Sequence, residues 1–273
     1  MDRMNLLFAI NSTFFNQLKT TLYSIFENNS HTFDIYVLNN DLTADQISEL
    51  ERFCTRFDAQ LYPVNVPADW FADAPVSKRY PETIYYRLLA HSLLPQEVTR
   101  ILYLDADILC INSLAKIYQT DVSDYLYAAC YHPSVTGVTD TVNKIRLGTY
   151  ENKGYYNSGV LLMNLENIRR TVFKEDVYRY IADNALTLLL PDQDVLNGLY
   201  GKDTLPLTDT LYNYDVRYYT IYKMLSEGEA TLDWIMEHTV FLHYCGKNKP
   251  WQPKNTSKFA VLYKHYRQKA LRI

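Results

Sequence analysis

The sequence predicts an α/β fold in which a mostly parallel, Rossmann-like central sheet is flanked by helices. Three observations predict it. The chain has 273 residues, 48% of them hydrophobic, which is enough for one large α/β domain. Strand patterns and helix patterns alternate over residues 1–66, as in parallel sheets covered by helices. The apolar run at 100–109 ends in two aspartates, at the strand end where such sheets bind ligands.

The first half of the chain supplies the alternating elements. Apolar runs mark the strands, and apolar residues at helical spacing mark the helices. Thr43 and Gln46 form a capping box, which predicts a helix start. Strands are predicted at 4–10, 32–40 and 59–66, and helices at 18–29 and 44–57. These elements predict two consecutive β-α units that share one sheet.

The second half has a less regular pattern. A helix is predicted at 83–94, strands at 100–109, 125–132 and 155–165, and a helix at 166–173. The polar stretch at 134–153 is expected to be a mobile loop over the site. We predict a single domain at residues 1–253, followed by a basic, aromatic carboxyl-terminal tail at 254–273.

Composition excludes several classes of protein. The formal net charge of -4 argues against nucleic acid as a partner. No window approaches the roughly 18 uninterrupted apolar residues of a membrane-spanning helix. The four cysteines are widely spaced and predict reduced thiols. They are Cys54, Cys110, Cys130 and Cys245. We expect a soluble, cytoplasmic protein that is at most peripheral to the inner face of a membrane.

The aspartates at the end of the fourth predicted strand indicate a metal site. Asp105 and Asp107 are two positions apart, so their side chains point the same way from an extended strand. Ala106 between them leaves room for a ligand. Two carboxylates this close repel each other unless a divalent cation lies between them. The Asp-x-Asp pattern is common by chance, and 192–194 is a second example.

A segment near the carboxyl terminus adds the parts of a diphosphate site. His243 offers an imidazole, Gly246 allows the backbone to approach a phosphate, and Lys249 offers a positive charge. An imidazole beside carboxylates moves the expected metal from Mg2+ towards Mn2+, which accepts mixed nitrogen and oxygen ligands.

Five segments together resemble the retaining glycosyltransferases of family 8, which have a GT-A fold. They are YYRLLA (85–90), LYLDADIL (102–109), YYNSGVLLMNL (155–165), LPDQDVLN (190–197) and HYCGKNKPW (243–251), in the family's order. The resemblance runs from Leu6 to about Trp251. It implies Mn2+-dependent transfer of a hexose from UDP-glucose or UDP-galactose to a glycan, glycolipid or glycoprotein, with Mg2+ as an alternative cation.

The resemblance also implies roles for individual residues. Asp105, Asp107 and His243 would hold the metal, and Asp192 and Gln193 would lie beside the anomeric carbon. The residues assigned to the donor are Ala9, Asn11, Thr13, Arg87, Asp105, Ala106, Asn157, Ser158, Gly159, His243, Gly246 and Lys249. Many family members have an acidic ADD segment after the first strand, where this chain has AINSTF. Asn11 and Thr13 can still hydrogen-bond a uracil.

Several of these residues have a simpler interpretation. Arg87 could be an exposed helix arginine. The 157–159 segment could be a tight turn, and Asp192 could cap a helix. The tail could pack as a helix with a solvated basic face, or its basic and aromatic side chains could lie on an anionic membrane.

Two other functions and two chemical routes stay open at this point. A phosphohydrolase of the haloacid dehalogenase type also uses an Asp-x-Asp after a strand, but there the motif follows the first strand. A non-catalytic nucleotide-sugar-binding protein is the other alternative.

Retention of stereochemistry requires either a covalent intermediate on the protein or attack by the acceptor on the leaving-group face. We favour the second route, because a glutamine side chain is a poor nucleophile.

Overall fold

The structure is a computed structural model that describes residues 3–67, 69–72, 82–132 and 142–273, apart from the side chains of Thr83 and Ile84. The strands are β1 (Met4–Ala9), β2 (Phe33–Asn39), β3 (Gln60–Asn65), β4 (Arg100–Leu104), β5 (Ile108–Cys110), β6 (Tyr127–Cys130), β7 (Val160–Asn164), β8 (Thr204–Leu207), β9 (Tyr214–Asp215) and β10 (Phe241–His243).

The helices are numbered in chain order. They are α1 (Phe15–Glu27), α2 (Ala44–Thr55), α3 (Tyr86–Leu89), α4 (Ala115–Tyr118), α5 (142–147), α6 (Leu165–Thr171), α7 (Lys174–Asn184), α8 (Pro191–Tyr200), α9 (Asp209–Tyr212), α10 (Tyr219–Leu225), α11 (Leu232–His238) and α12 (Lys258–Ala270).

A mostly parallel sheet forms the centre of the fold. Among the described residues it has seven strands in the order β3-β2-β1-β4-β7-β6-β8, and β7 runs antiparallel to both of its neighbours. The chain moves outward from β1 to β2 and β3, and then returns to β1's other side with β4. A switch point therefore lies between β1 and β4, and ligands of open α/β sheets bind at the carboxyl ends of the strands there.

Both faces of this sheet are buried. On β1, Leu6 and Phe8 face one apolar cluster, which includes α1, and Leu7 faces the other. Strands buried on both faces need continuous apolar runs, which explains the sequence of β1. The predicted capping box is present, with the Thr43 and Gln46 side chains each bonded to the other's backbone N–H. The predicted α/β class is confirmed.

The fourth predicted strand is shorter than the sequence suggested. β4 ends at Leu104, the chain turns over 105–107, and β5 begins at Ile108 in a second, smaller sheet. That sheet has the order β5-β10-β9 in the described part of the chain. The prediction of one extended strand over 100–109 was therefore wrong. The turn is stabilised by the N–H of Ile108, which donates to the Asp105 carbonyl at 3.3 Å.

The helix predicted at 83–94 needs correction, and the loop predicted at 134–153 is only partly described. The helix predicted at 83–94 is a single turn of α-helix, α3, between two 3-10 turns at Glu82–Tyr85 and Ala90–Ser92. The polar stretch expected to form a loop over 134–153 lies partly outside the described residues. Its described part begins with α5.

The carboxyl-terminal segment packs on the domain as α12. Phe259 and Tyr263 are buried against the second sheet, and Lys269 and Arg272 face solvent. Aromatic residues of the tail thus contribute to the core, while Lys269 and Arg272 remain exposed. Within the described residues, no helix has the length and apolar character that crossing a membrane requires.

Candidate functional site

The candidate metal ligands converge at the carboxyl end of β4. Single ligand atoms of Asp105, Asp107 and His243 all lie within 4.8 Å of one another. The Nε2 atom of His243 is 3.2 Å from Asp107 Oδ1 and 3.8 Å from Asp105 Oδ2. Asp107 and His243 are buried, and Asp105 keeps 26% of its side chain exposed. The cluster is therefore reached from one side.

The turn at 105–107 and the second sheet together build this cluster. β10 pairs with β5 so that His243 lies opposite Ile108, one residue after Asp107. The N–H of Tyr244 donates to the Asp107 carbonyl at 3.1 Å. The imidazole is thus brought to the aspartates by strand pairing between segments far apart in the sequence.

Lys249 places a positive charge beside the Asp107 carboxylate. Its Nζ donates to the Asp107 carboxylate, and also to the Tyr244 carbonyl at 2.9 Å. Burial raises the pKa of Asp107, but the positive charges of His243 and Lys249 outweigh burial and hold it well below its usual range. Asp107 is therefore a carboxylate ready to bind a cation.

The three residues fit a divalent cation. Two carboxylate oxygens and an imidazole nitrogen form a mixed donor set, which suits transition metals such as Mn2+ better than it suits Mg2+. The imidazole must be neutral at the ligating nitrogen, so cation binding displaces a proton there.

Gly159 leaves room for this cluster. A Cβ added at Gly159 would lie 2.4 Å from His243 Cε1 and 2.8 Å from Asp105 Oδ2. Both distances are below van der Waals contact, so a side chain would displace a candidate metal ligand. The glycine lies here because β4 and β7 pair antiparallel, and the Asp105 N–H donates to the Gly159 carbonyl at 2.9 Å.

Arg87 connects the metal cluster to the start of α8. Its guanidinium is 2.9 Å from Asp105 Oδ1 and 3.3 Å from Asp192 Oδ2, and it donates to the Ser158 carbonyl at 2.8 Å. Only 5% of Arg87 is exposed, so it is not a surface arginine. The structure therefore brings the 85–90, 102–109, 155–165 and 190–197 segments together around one buried cation.

Asp192 faces this cation and does not cap its helix. Its carboxylate accepts from Ser158 Oγ at 2.7 Å. Burial raises the pKa of Asp192 above its usual value, although Arg87 and Ser158 oppose the rise. Asp194, in the first turn of α8, instead accepts from the N–H groups of Leu189 and Leu190, which precede the helix, at 2.6 and 3.1 Å.

The segment after β1 lies at the switch point between β1 and β4. Asn11 caps a 3-10 turn, and its Oδ1 accepts from the Thr13 N–H and hydroxyl at 3.2 and 2.5 Å. Ser12 donates from its N–H and hydroxyl to Asp41, each at 2.8 Å. A carboxylate from the end of β2 therefore holds this turn, and Ala9 at the end of β1 is partly exposed beside it.

Gly246 has the backbone conformation expected of a glycine turn. Its φ is +81°, a value that side-chain-bearing residues rarely adopt. A Cβ there would lie 3.0 Å from Arg217 Nη1. Arg217 forms a fork-like ion pair with Asp215 at the end of β9. An exposed cation therefore lies next to the turn that carries Lys249.

The sequence profile of glycosyl transferase family 8 matches residues 5–255, which is most of the chain. The protein belongs to glycosyl transferase family 8. It is a glycosyltransferase, which decides against the phosphohydrolase and the non-catalytic alternatives.

Two relatives and one solved structure illustrate the similarity. A lipopolysaccharide 1,2-glucosyltransferase of Escherichia coli is 30% identical over 244 residues, covering 85% of this chain and 68% of the relative. The glycosyltransferase GlyF of Streptococcus pneumoniae is 26% identical over 97% of this chain and 61% of its own length. The galactosyltransferase LgtC, solved with donor and acceptor sugar analogs, superposes with a TM-score of 0.83 at 22% identity over 97% of this chain and 96% of LgtC. The GT-A fold is thus confirmed for this family 8 chain.

The structure adds two residues to the site that sequence analysis did not identify. The Tyr103 hydroxyl donates to Asp105 Oδ1 at 2.7 Å, and its ring lies 4.5 Å from the Arg87 guanidinium carbon. Asn213 accepts from His243 Nδ1 at 2.8 Å. Tyr103 could have been recognised in the sequence, because it precedes Asp105 by two positions and side chains at that spacing on a strand point the same way. Asn213 belongs to none of the five segments and carries no sequence signal.

Proposed function

We propose that this family 8 enzyme transfers a hexose from a UDP-sugar to a carbohydrate acceptor, with retention of configuration and with Mn2+ as its cation. The observation that carries the proposal is the convergence of Asp105, Asp107 and His243 within 4.8 Å, beside Lys249. Two carboxylates and an imidazole next to an ammonium are suited to hold a cation together with a diphosphate.

The proposed phosphate side of the site carries a lysine and a glycine turn. Asp105, Asp107 and His243 would hold Mn2+, or Mg2+ as an alternative, and the bound cation would supply charge stabilisation to the departing diphosphate. Lys249 donates to the same diphosphate, and the Gly246 turn lets backbone N–H groups approach it. Lys249, together with a bound cation, would favour departure of the leaving group.

The sugar side of the site is polar and holds few charges. Arg87 orients the donor sugar and its phosphate, while Asn157, Ser158 and Gly159 line the donor-sugar pocket. Asp192 and Gln193 lie beside the anomeric carbon and stabilise positive charge on the ring.

The proposed step breaks the bond between the anomeric carbon and a diphosphate oxygen, which keeps the electron pair. The oxygen of an acceptor hydroxyl forms the new bond from the same face, and its proton passes to the departing phosphate oxygen. We favour this route over a covalent intermediate on Gln193, because a glutamine side chain is a poor nucleophile.

The donor base is proposed to be uracil. Ala9, Asn11 and Thr13 lie at the carboxyl end of β1, and Ala106 lies between the aspartates that follow β4. Family membership supports a nucleotide-sugar donor, and the names of the glucosyltransferase and galactosyltransferase relatives support UDP-glucose or UDP-galactose. The same names support a glycan or glycolipid acceptor.

The exposed basic face of α12 is proposed to contact an anionic membrane surface. This basic surface consists of Lys269, in the last turn of α12, and Arg272, just after the helix, and both are exposed. Removing the tail would open the core at Phe259 and Tyr263, so charge reversal is the sharper test. The Lys269→Glu/Arg272→Glu variant should sediment less than the unchanged chain with phosphatidylglycerol vesicles, and neither should sediment with phosphatidylcholine vesicles. Equal sedimentation of both proteins would end the proposal.

The reaction is tested by UDP release from a panel of nucleotide sugars, with Mn2+, with Mg2+ and with a chelator. Slow hydrolysis of the donor requires no known acceptor. We expect Mn2+-dependent release from one UDP-hexose, and nearly none from the Asp107→Asn variant. Release that persists in chelator, or at full rate in Asp107→Asn, would exclude the metal role.

A further inference from the structure

Three side-chain amides link the metal cluster to the sugar side of the site. His243 Nδ1 lies 2.8 Å from Asn213 Oδ1, and Asn213 Nδ2 donates to Asn157 Oδ1 at 2.9 Å. Asn157 Nδ2 in turn donates to Gln193 Oε1 at 3.3 Å. Asn213 is fully buried between α9 and β9. The chain of hydrogen bonds therefore runs from a candidate metal ligand to a candidate donor-sugar residue.

One backbone group fixes the direction of every bond in this chain. Asn157 Oδ1 also accepts from the Gly159 N–H at 2.9 Å, and a backbone N–H can only donate. The oxygen of the Asn157 amide must therefore face Gly159, so the group that approaches it from Asn213 must be an NH2. The carbonyl oxygen of Asn213 then faces His243.

The orientation of Asn213 determines which nitrogen of His243 bears a hydrogen. A carbonyl oxygen only accepts, so Nδ1 of the imidazole must be the donor. In the neutral ring the lone pair then lies on Nε2, the atom that faces Asp105 and Asp107. A partner that holds the other ring nitrogen of a histidine ligand typically contributes 10- to 100-fold to metal affinity.

We propose that Asn213 is a positioning residue with two separable roles. Its carbonyl oxygen holds His243 in the tautomer that ligates through Nε2, and its amino group holds Asn157 and, through it, the Gln193 carbonyl oxygen beside the donor. The proposal rests on the function proposed above, because it assigns Asn213 to the same metal and donor sites.

Substitution by aspartate or alanine separates the two roles. Aspartate keeps an oxygen towards His243 but cannot donate to Asn157, and Asn157 cannot turn over because Gly159 fixes it. Alanine removes both bonds. We expect the Kd for Mn2+, measured by calorimetry on the full chain with UDP present, to rise about 10- to 100-fold in Asn213→Ala and to stay equal or fall in Asn213→Asp. The kcat for UDP release should fall at least tenfold in both.

Two further variants keep the test decisive. Asn164→Asp makes the same change at the cap of α6, away from the site, and should alter neither Kd nor kcat. Asn157→Asp keeps the bonds to Gly159 and Asn213 but loses the bond to Gln193, so kcat should fall while Mn2+ affinity is kept. This variant tests the second role if Asn213→Ala does not fold.

The outcomes also distinguish this proposal from the proposed function. If the unchanged chain neither binds Mn2+ nor releases UDP, the proposed function fails. If it does both, and Asn213→Ala matches its Mn2+ affinity or Asn213→Asp matches its kcat, Asn213 is not a positioning residue.

Discussion

The guanidinium of Arg87 lies 2.9 Å from the Asp105 carboxylate at the end of β4, and the same group reaches Asp192 at the start of α8. Two acidic side chains from separate elements therefore share one buried cation. This arrangement holds the candidate metal ligand Asp105 and the start of α8 on either side of one guanidinium. It also makes Arg87 important for stability, because removing it would leave two partly buried carboxylates without this partner.

Arg87→Met should lower the free energy of unfolding by about 3 kcal/mol or more, since it breaks a buried ion pair while keeping side-chain volume. Urea denaturation followed by tryptophan fluorescence measures the change. Arg3→Met provides the control, because Arg3 pairs with Asp34 at the surface with 36% of its side chain exposed. That variant should lose less than about 1 kcal/mol. Equal losses in both variants would contradict the role of Arg87.

Asp192 and Asp194 should respond differently to the same substitution. Asp192→Asn removes a negative charge beside Arg87 and Ser158, so we expect kcat for UDP release to fall about 100-fold with KM little changed. Asp194→Asn instead weakens the bonds from the Leu189 and Leu190 N–H groups and the ion pair with Arg146, whose nitrogens lie 2.6 and 3.0 Å away.

The matched control for Asp192→Asn is the same substitution at Asp194, two residues away. Asp194→Asn should lower the free energy of unfolding by about 2–3 kcal/mol and change kcat less than Asp192→Asn does. If Asp192→Asn lowers stability and donor affinity together, with no separate loss of kcat, Asp192 is a structural residue.

Gly159→Ala should weaken Mn2+ binding at least tenfold, because the added Cβ would lie 2.4 Å from the His243 ring. Calorimetric titration with Mn2+ in the presence of UDP measures the affinity. Gly198→Ala is a control for overpacking alone, since its Cβ would meet the Tyr180 hydroxyl at 2.0 Å, away from the metal ligands. It should cost about 1–3 kcal/mol of stability but leave Mn2+ affinity unchanged. Unchanged affinity in Gly159→Ala would mean that the ligands can move aside.

Much of the fold was predictable because its signals are local. The apolar run of β1 and the capping box of α2 lie within a few residues of the elements they specify. The turn at 105–107 was not predictable, because apolar residues continue through Ile108 and Leu109 on its far side. Which sheet a strand joins depends on its pairing partner, here β10, and no local pattern shows that partner.

The same limit applies to the site. Asp192 and Asp194 look equivalent in the sequence, yet two positions along a helix lie on different faces, and only the observed start of α8 assigns each its face. Asn213 reaches His243 because β9 and β10 pair side by side. Its role therefore depends on contacts between distant segments, and the sequence around it gives no indication of them.

Stability should fall in acid because of His91, which lies in the 3-10 turn after α3. Its pKa is lowered from 6.5 to about 4, chiefly by burial and to a smaller extent by the charge of nearby Arg169, against a backbone hydrogen bond with Val172 that raises it. The folded protein thus binds this proton less tightly than the unfolded chain does. The stability that the neutral His91 side chain contributes to the folded protein is complete above pH 6.5. It is lost as pH falls towards 4, by up to about 3 kcal/mol.

Urea denaturation across this pH range should show a shallower pH dependence of stability for His91→Gln than for the unchanged chain. The same change at exposed His265 should leave the pH dependence as it is. Parallel curves for His91→Gln and the unchanged chain would show that His91 is not the source of acid sensitivity.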